Sequence, residues 1–278
     1  MAHRRLARIE PLLKIARGKL MRAVDEVVSR HHREQLEELR AEMARLHHEF
    51  RESRDHLNRR LEEMDYRNRR DLFAAAERVA AHTSAEYARE HMPTAPRLPD
   101  MRATLAHGLK LAPEEGLALE FGVWSGSTLK QIAEARGGRG VYGFDAFEGL
   151  PEDWRTGFPV GSFSTDAPPD VPGAELVIGW FDQTLPGFMA EHADEPLAFV
   201  HIDCDLYSST VTVLEHVGPR LRAGSVLVFD EYFNYPGWME HEHRAWLEFV
   251  ERTGVKFSYE GYTLDHEQVV VRVTETPN

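Results

Sequence analysis

The stretch Leu117–Leu150, LALEFGVWSGSTLKQIAEARGGRGVYGFDAFEGL, decides the fold. It opens on a short apolar run, Leu117–Phe121, and turns through Gly122 and Gly126. An amphipathic stretch follows, then a second apolar run at Val141–Phe144. Short apolar runs separated by a helical pattern mark strand–helix–strand units and a parallel sheet. The alternation continues, with strands expected at Glu175–Ile178, Leu197–Ile202, Ser225–Phe229, Lys256–Tyr262 and Gln268–Val273. A parallel crossover needs about a dozen residues or more, so the short turn Thr263–Glu267 forces the last two strands antiparallel. The expected architecture is α/β, with seven strands and the last antiparallel as a hairpin on the sheet edge.

Upstream of Pro113 the chain is of another kind. Residues 1–92 hold 20 Lys and Arg against 17 Asp and Glu, whereas the remainder holds 13 against 29, within a net charge of −13. From Leu36 to Met64 the apolar residues Leu36, Leu39, Met43, Leu46, Phe50, Leu57 and Met64 fall on alternating steps of three and four, with Ser53 and Arg60 at the remaining seam positions. This spacing predicts a coiled-coil helix over 36–64 and a homo-oligomer; an amphipathic helix folded back on its own chain is the competing arrangement. Residues 1–30 carry a broader apolar face, from Leu6, Ile9, Leu12 and Leu13 to Val24, Val27 and Val28, interrupted by Pro11 and Gly18. The basic residues Arg4, Arg5, Arg8, Lys14, Arg17, Lys19 and Arg22 accompany it. Packing against protein is expected there, ahead of adhesion to a membrane surface. The helical pattern resumes at Leu72–Ala76 and should stop before Pro93, Pro96 and Pro99. The expected domains are a helical extension over 1–92, a linker and lead-in helix over 93–114, and a sheet domain over 115–278.

Several function classes drop out. Mean hydropathy is −0.46 and no apolar run approaches the roughly eighteen residues of a membrane span, so none is expected. The basic start Met1–Arg5 lacks the apolar stretch of a secretory signal. Cys204 is the only cysteine, so no intramolecular disulfide is expected, and a reducing cytoplasm is the natural compartment. The acidic balance argues against nucleic acid as a partner.

Chemistry should gather beyond the carboxyl ends of the strands, where the strand order reverses. The first strand ends at Glu120-Phe121-Gly122-Val123-Trp124-Ser125-Gly126-Ser127. The glycines permit a tight turn and close backbone approach, and Ser127 can cap the next helix. The spacing is Gly-x-x-x-Gly, unlike the pyrophosphate cradle Gly-x-Gly-x-x-Gly; a cofactor with an amino-acid tail and a positive sulfur suits the nearby carboxylate. Asp145 ends the second strand, where an acid can accept both ribose hydroxyl protons; a capping Asp is the plainer alternative. Asp203 and Asp205 follow the fourth strand, and Asp230 and Glu231 the fifth. Four carboxylates at adjacent strand ends repel unless a cation sits among them, and a hard divalent ion suits oxygen ligands. Cys204 reads as packing. His241 and His243, two residues apart, do not share a helical face, which argues against zinc and leaves them as acceptor-pocket lining.

These residues resemble the macrocin O-methyltransferase family, sugar-modifying enzymes of antibiotic and glycan pathways. The sheet with its reversed last strand resembles the Rossmann-like class I methyltransferase fold. The likeness covers about residues 115–275 and rests on Glu120–Thr128, on Phe144-Asp145-Ala146-Phe147-Glu148-Gly149-Leu150-Pro151 and on His201–Thr210. It implies S-adenosylmethionine as cofactor, held by Glu120, Gly122, Ser125, Gly126, Ser127, Asp145, Ala146, Phe147 and Asp203, with Trp180 and Phe181 at the adenine. It also implies magnesium on Asp203, Asp230 and Glu231, and Asp205 as catalytic base with His201 beside it. The family's usual Asp-Asp pair is Asp230-Glu231 here. The implied acceptor is a hydroxyl of a sugar, glycan or other small molecule. Loop 146–173, rich in Pro, Gly, Phe and Asp, is expected to cover the cofactor. A hydroxylase-like or catechol-type relative on the same fold, or a coiled-coil scaffold carrying an inert cofactor domain, are the competing functions.

Overall fold

Strict alternation along strand β2 (Leu117–Phe121) organises the larger part of the molecule. Leu117, Leu119 and Phe121 bury into one apolar cluster and Ala118 into another, on opposite faces of the sheet. The structure, a computed structural model, describes residues 2–277, with side chains from Lys14 to Pro277. It divides into two units between Asp71 and Leu72.

The first unit is helix α1 (Ala2–Arg70), continuous over 69 residues and running through Pro11 and Gly18. The side chains of Arg4, Arg5, Leu6, Arg8, Ile9, Leu12 and Leu13 lie outside the described residues. From Lys14 to Arg70 every residue is exposed except Gly18, which is half-buried, so the apolar seam stands in solvent.

The second unit begins with α2 (Leu72–His91) and a short strand β1 (Arg97–Leu98). Next come α3 (Met101–Leu111), β2, α4 (Ser127–Arg136), β3 (Val141–Asp145) and β4 (Glu175–Ile178). The chain continues through α5 (Phe181–Glu191), β5 (Leu197–Ile202), α6 (Tyr207–Val217), β6 (Val226–Phe229), α7 (Glu242–Thr253), β7 (Lys256–Thr263) and β8 (Val269–Glu275). The sheet order is β1-β7-β8-β6-β5-β2-β3-β4. Only β8 runs against its neighbours. The seven expected strands are all present, with β1 added parallel to β7. One expectation needs correcting: β8 is not at the edge but lies between β6 and β7. Its run Val269-Val270-Val271 is buried on both faces, which an edge position would waste. From β2 the chain winds outward through β3 and β4, then returns to the other side of β2 as β5, so the order reverses between β2 and β5. The α3–α4 face is closed by Leu105, Leu109, Leu129 and Ile132, and the opposite face by Leu185, Val213, Leu214, Trp246 and Phe249.

The apolar pattern assigns residues 72–92 to the extension, yet α2 packs within the second unit. Ala80, Ser84, Ala88 and Met92 are buried. Ser84 Oγ accepts from the Asn234 amide at 2.8 Å, Trp238 Nε1 donates to Thr83 Oγ1 at 3.1 Å, and the Tyr87 and Tyr259 hydroxyls meet at 2.5 Å. An apolar stripe at helical spacing does not say which surface it covers. A chain starting at Leu72 should therefore keep a single cooperative thermal transition. A chain starting at Pro93 should lose about 3 kcal/mol or more and melt roughly 10 °C lower, since several buried side chains and three hydrogen bonds go with α2. Differential scanning calorimetry on both truncations checks this, and equal melting temperatures would refute it.

Candidate functional site

Period-two register carries a polar row across the sheet. Glu120 is opposite His201 in the β2–β5 pairing, and Asp230 follows the end of β6. His201 Nδ1 is 2.8 Å from Glu120 Oε1, and its Nε2 is 3.5 Å from Asp230 Oδ1. Gln268, just before β8, donates to Asp230 Oδ2 at 3.2 Å and accepts from Thr263 Oγ1 at 2.9 Å; Thr263 meets Thr104 of α3 at 2.6 Å. Glu120 and His201 are almost completely enclosed. Burial pushes the His201 pKa down, but the neighbouring carboxylates of Asp230 and Glu120 outweigh it and raise it well above its ordinary value. Burial would raise Asp230, yet the bond and charge of His201, with Gln268, keep it below the usual carboxylate range. His201, expected in the catalytic group, is buried between the carboxylates of Glu120 and Asp230, with its Nε2 enclosed and without a hydrogen-bond partner.

Beyond this row three other acids converge. Carboxylate oxygens of Asp203, Asp205 and Glu231 lie within 4.8 Å of one another. Burial, then the charge of Asp230, push Asp203 and Glu231 well up; Asp205 is pushed up to about 7 by burial, against the opposing pull of Arg155. Glu231 Oε2 is enclosed and has no hydrogen-bond partner. An orphaned buried carboxylate oxygen among raised carboxylates fits a hard divalent cation. The trio differs from the expected Asp203, Asp230 and Glu231, because Asp230 is turned to His201 and Gln268 while Asp205 faces the other two acids. Cys204, between them, is buried and 3.6 Å from Thr210 Oγ1, as packing requires.

The glycine turn is set by contact. At Gly122, φ +93°, an added Cβ would lie 1.7 Å from the Asp203 carbonyl oxygen, so only glycine lets the ends of β2 and β5 meet. Gly126, left-handed at φ +77°, is the N-cap of α4; Ser127, expected to cap, is the first helical residue, and it is exposed, as is Ser125. Asp145 binds this turn directly. Its Oδ2 accepts from the Val123 and Trp124 amides, both at 2.9 Å, and its Oδ1 from the Phe147 amide at 2.7 Å. Ala146 is half-buried and Phe147 buried, the latter at φ +59°. Phe181 packs edge-on against Phe121 at 5.5 Å, so it serves the core, while Trp180 is half-buried at the N-cap of α5.

Sequence reasoning passed over three residues. Gln268 was legible only as a strand residue. Glu242 is fully buried and accepts from the Glu231 amide at 3.1 Å. Arg155, in the long irregular loop after β3, pairs with both oxygens of Glu267 at 3.0 and 2.9 Å and lies 4.0 Å over Trp154 and 4.6 Å over Tyr235. It pins that loop to the β7–β8 hairpin. His243, expected near the acceptor, is buried edge-on against Tyr87, Tyr232 and Trp238; His241 is half-buried near Trp154. A cavity of about 600 Å³ borders the polar row at Asp230 and Gln268 and is walled by Arg102, Ser127, Thr128 and His266.

Residues 119–232 match the profile of a methyltransferase-domain family. Over 148 residues the chain is 29% identical to the Streptomyces olivaceus 8-demethyl-8-(2,3-dimethoxy-alpha-L-rhamnosyl)-tetracenomycin-C 4'-O-methyltransferase, covering 42% of this chain. The chain spans about half, 53%, of that relative's length. Among solved structures it is similar to the calicheamicin methyltransferase CalS11 (24% identity, TM-score 0.48, 62% of this chain and 76% of that one). It is likewise similar to the O-methyltransferase NovP (22%, TM-score 0.43, 63% and 78%).

Magnesium should bind the acid trio more tightly at pH 8 than at pH 6, by up to about tenfold per pH unit for each proton displaced. Without a cation, carboxyls raised on folding favour the native state only while protonated. Stability should therefore fall between the ordinary Asp range and about 7, where Asp205 ionises, and magnesium should restore it. Calorimetry in buffers of different ionisation enthalpy, with melting curves in chelator and in magnesium, checks both; pH-independent affinity would sink the cation site.

Proposed function

We propose, on the premise that this chain belongs to the methyltransferase-domain family matched by its residues 119–232, that it moves the methyl group of S-adenosylmethionine to a hydroxyl oxygen of a sugar or glycosylated small molecule. The observation that carries this is the trio Asp203, Asp205 and Glu231 gathered beyond β5 and β6, beside a glycine turn at the point where the strand order reverses. When bound, S-adenosylmethionine supplies an electrophilic methyl carbon on a positive sulfur, and a magnesium ion supplies Lewis acidity at the carboxylates.

The chain's own residues do the positioning on which an in-line displacement depends. The Asp145 carboxylate, with lone pairs left after its three amide bonds, accepts the ribose hydroxyls. Gly122 and Gly126 let backbone come close to the cofactor, with Glu120 shaping the turn from beneath. The first turn of α4, with its unpaired amides and the hydroxyls of Ser127 and Thr128, suits the carboxylate of the amino-acid tail entering from the cavity. Trp180 is offered to the adenine. Asp203 and Glu231 would hold the cation, with Asp205 beside them. Asp205, held at φ +61° and pushed up to about 7, takes the acceptor proton. The loop after β3, latched by Arg155 to Glu267, excludes water. The relative's rhamnosyl acceptor makes a glycosyl hydroxyl the class to try first.

Asp205→Asn keeps the shape and removes the proton acceptor, so turnover should fall about 10²–10⁴-fold while calorimetry still shows S-adenosylhomocysteine binding. Asp145→Ala should instead cost roughly 2–4 kcal/mol of cofactor affinity, because charge-assisted bonds are lost and the Val123–Trp124 turn is untied. A screen of glycosides with labelled methyl donor tests the reaction itself. No label transferred to any hydroxyl acceptor, from a protein that binds the donor, would overturn the proposal.

A further inference from the structure

We infer that α1 pairs with α1 of a second copy of this chain as a parallel, in-register, two-stranded coiled coil over residues 36–57. The inference is independent of the methyl-transfer chemistry. Leu36, Leu39, Met43, Leu46, Phe50 and Leu57 are all about half exposed or more, although this many large apolar side chains on one stripe is a surface that water disfavours. Setting Leu36 at heptad position a puts Leu36, Met43, Phe50 and Leu57 at a and Leu39, Leu46 and Ser53 at d.

The flanking charges choose the occupant and its direction. Position g holds Glu42 and Glu49; position e holds Arg40, His47 and Arg54. In a parallel pair each g residue faces the partner's e residue five positions on. Glu42 then meets the partner's His47, and Glu49 the partner's Arg54. In an antiparallel pair g faces g and e faces e, which would set Glu against Glu and Arg against Arg. One helix carrying acid along one flank and base along the other is complementary to itself in the parallel sense only. Glu37, Glu38, Glu42, Glu49 and Glu52 within the same segment make an anionic lipid surface a poor alternative. The apolar seam weakens at Arg60, whose long arm can leave it for water, so the pairing is placed before that residue.

The test uses the full-length chain, whose only native thiol, Cys204, is buried. Light scattering should give twice the 31.8 kDa chain mass. Leu39→Cys and Leu57→Cys variants, each mildly oxidised alone, should form covalent dimers. Mixed before oxidation, they should yield only 39–39 and 57–57 links by mass spectrometry. Leu46→Glu with Phe50→Glu should give monomers whose second unit melts at an unchanged temperature. A 39–57 link would overturn the parallel register. A monomeric native chain, a charged variant still at dimer mass, or a monomer that sediments only with phosphatidylglycerol vesicles would overturn the pairing altogether.

Discussion

A histidine sealed between two carboxyl side chains, His201 with Glu120 and Asp230, is the constraint on which the candidate site depends. Three ionisable groups are removed from water at the meeting of β2, β5 and β6, and each would be costly alone. Side by side they offset part of that cost, and Gln268 and Thr263 extend the hydrogen bonding to α3. Asp230 is turned to His201 and Gln268, and Asp203, Asp205 and Glu231 are the acids that face one another.

Backbone geometry works to the same end. Trp124, Phe147, Asp205 and Asn234 are all left-handed, at φ between 42° and 66°, and they lie in the loops that follow β2, β3, β5 and β6. Such conformations cost energy for side chains other than glycine and persist where the surroundings over-determine them. Here each loop must turn away from the sheet at once, so that four strand ends open onto one crevice. Gly122 is the limiting case, since any Cβ there would strike the Asp203 carbonyl. The long loop after β3 has no helix or strand; Leu150, Trp154, Phe158 and Phe163 with Leu206 give it a small core, and the Arg155–Glu267 pair anchors it. These contacts explain how an irregular segment of this length keeps a definite path.

Seven strands, the reversed strand and the acids at the strand ends were all legible in the chain, because period-two apolar runs and short turns are local signals. So was the heptad stripe of α1. Less was legible where a pattern is satisfied equally by several partners. Residues 72–92 read as part of the extension, since a stripe that packs on the sheet domain has the spacing of one that pairs with another helix. The two acids of Asp230-Glu231 read as equivalent, though one turns inward to His201 and the other toward Asp203 and Asp205. Phe181 read as a cofactor contact, and its ring also packs edge-on against Phe121.

What the sequence by itself determined is in what order the strands and helices arise and which acids stand at the strand ends. Spacing along the chain sets the alternation of side chains and the length of each connection, and both are local quantities. Only the tertiary structure decided which carboxylate lies beside His201 and which face one another, that β8 inserts between β6 and β7, and that Arg155 meets Glu267 across 112 residues of chain. Those outcomes depend on distances between segments remote in sequence. At a few ångströms inside a low-dielectric interior, such distances fix the charge and role of each acid.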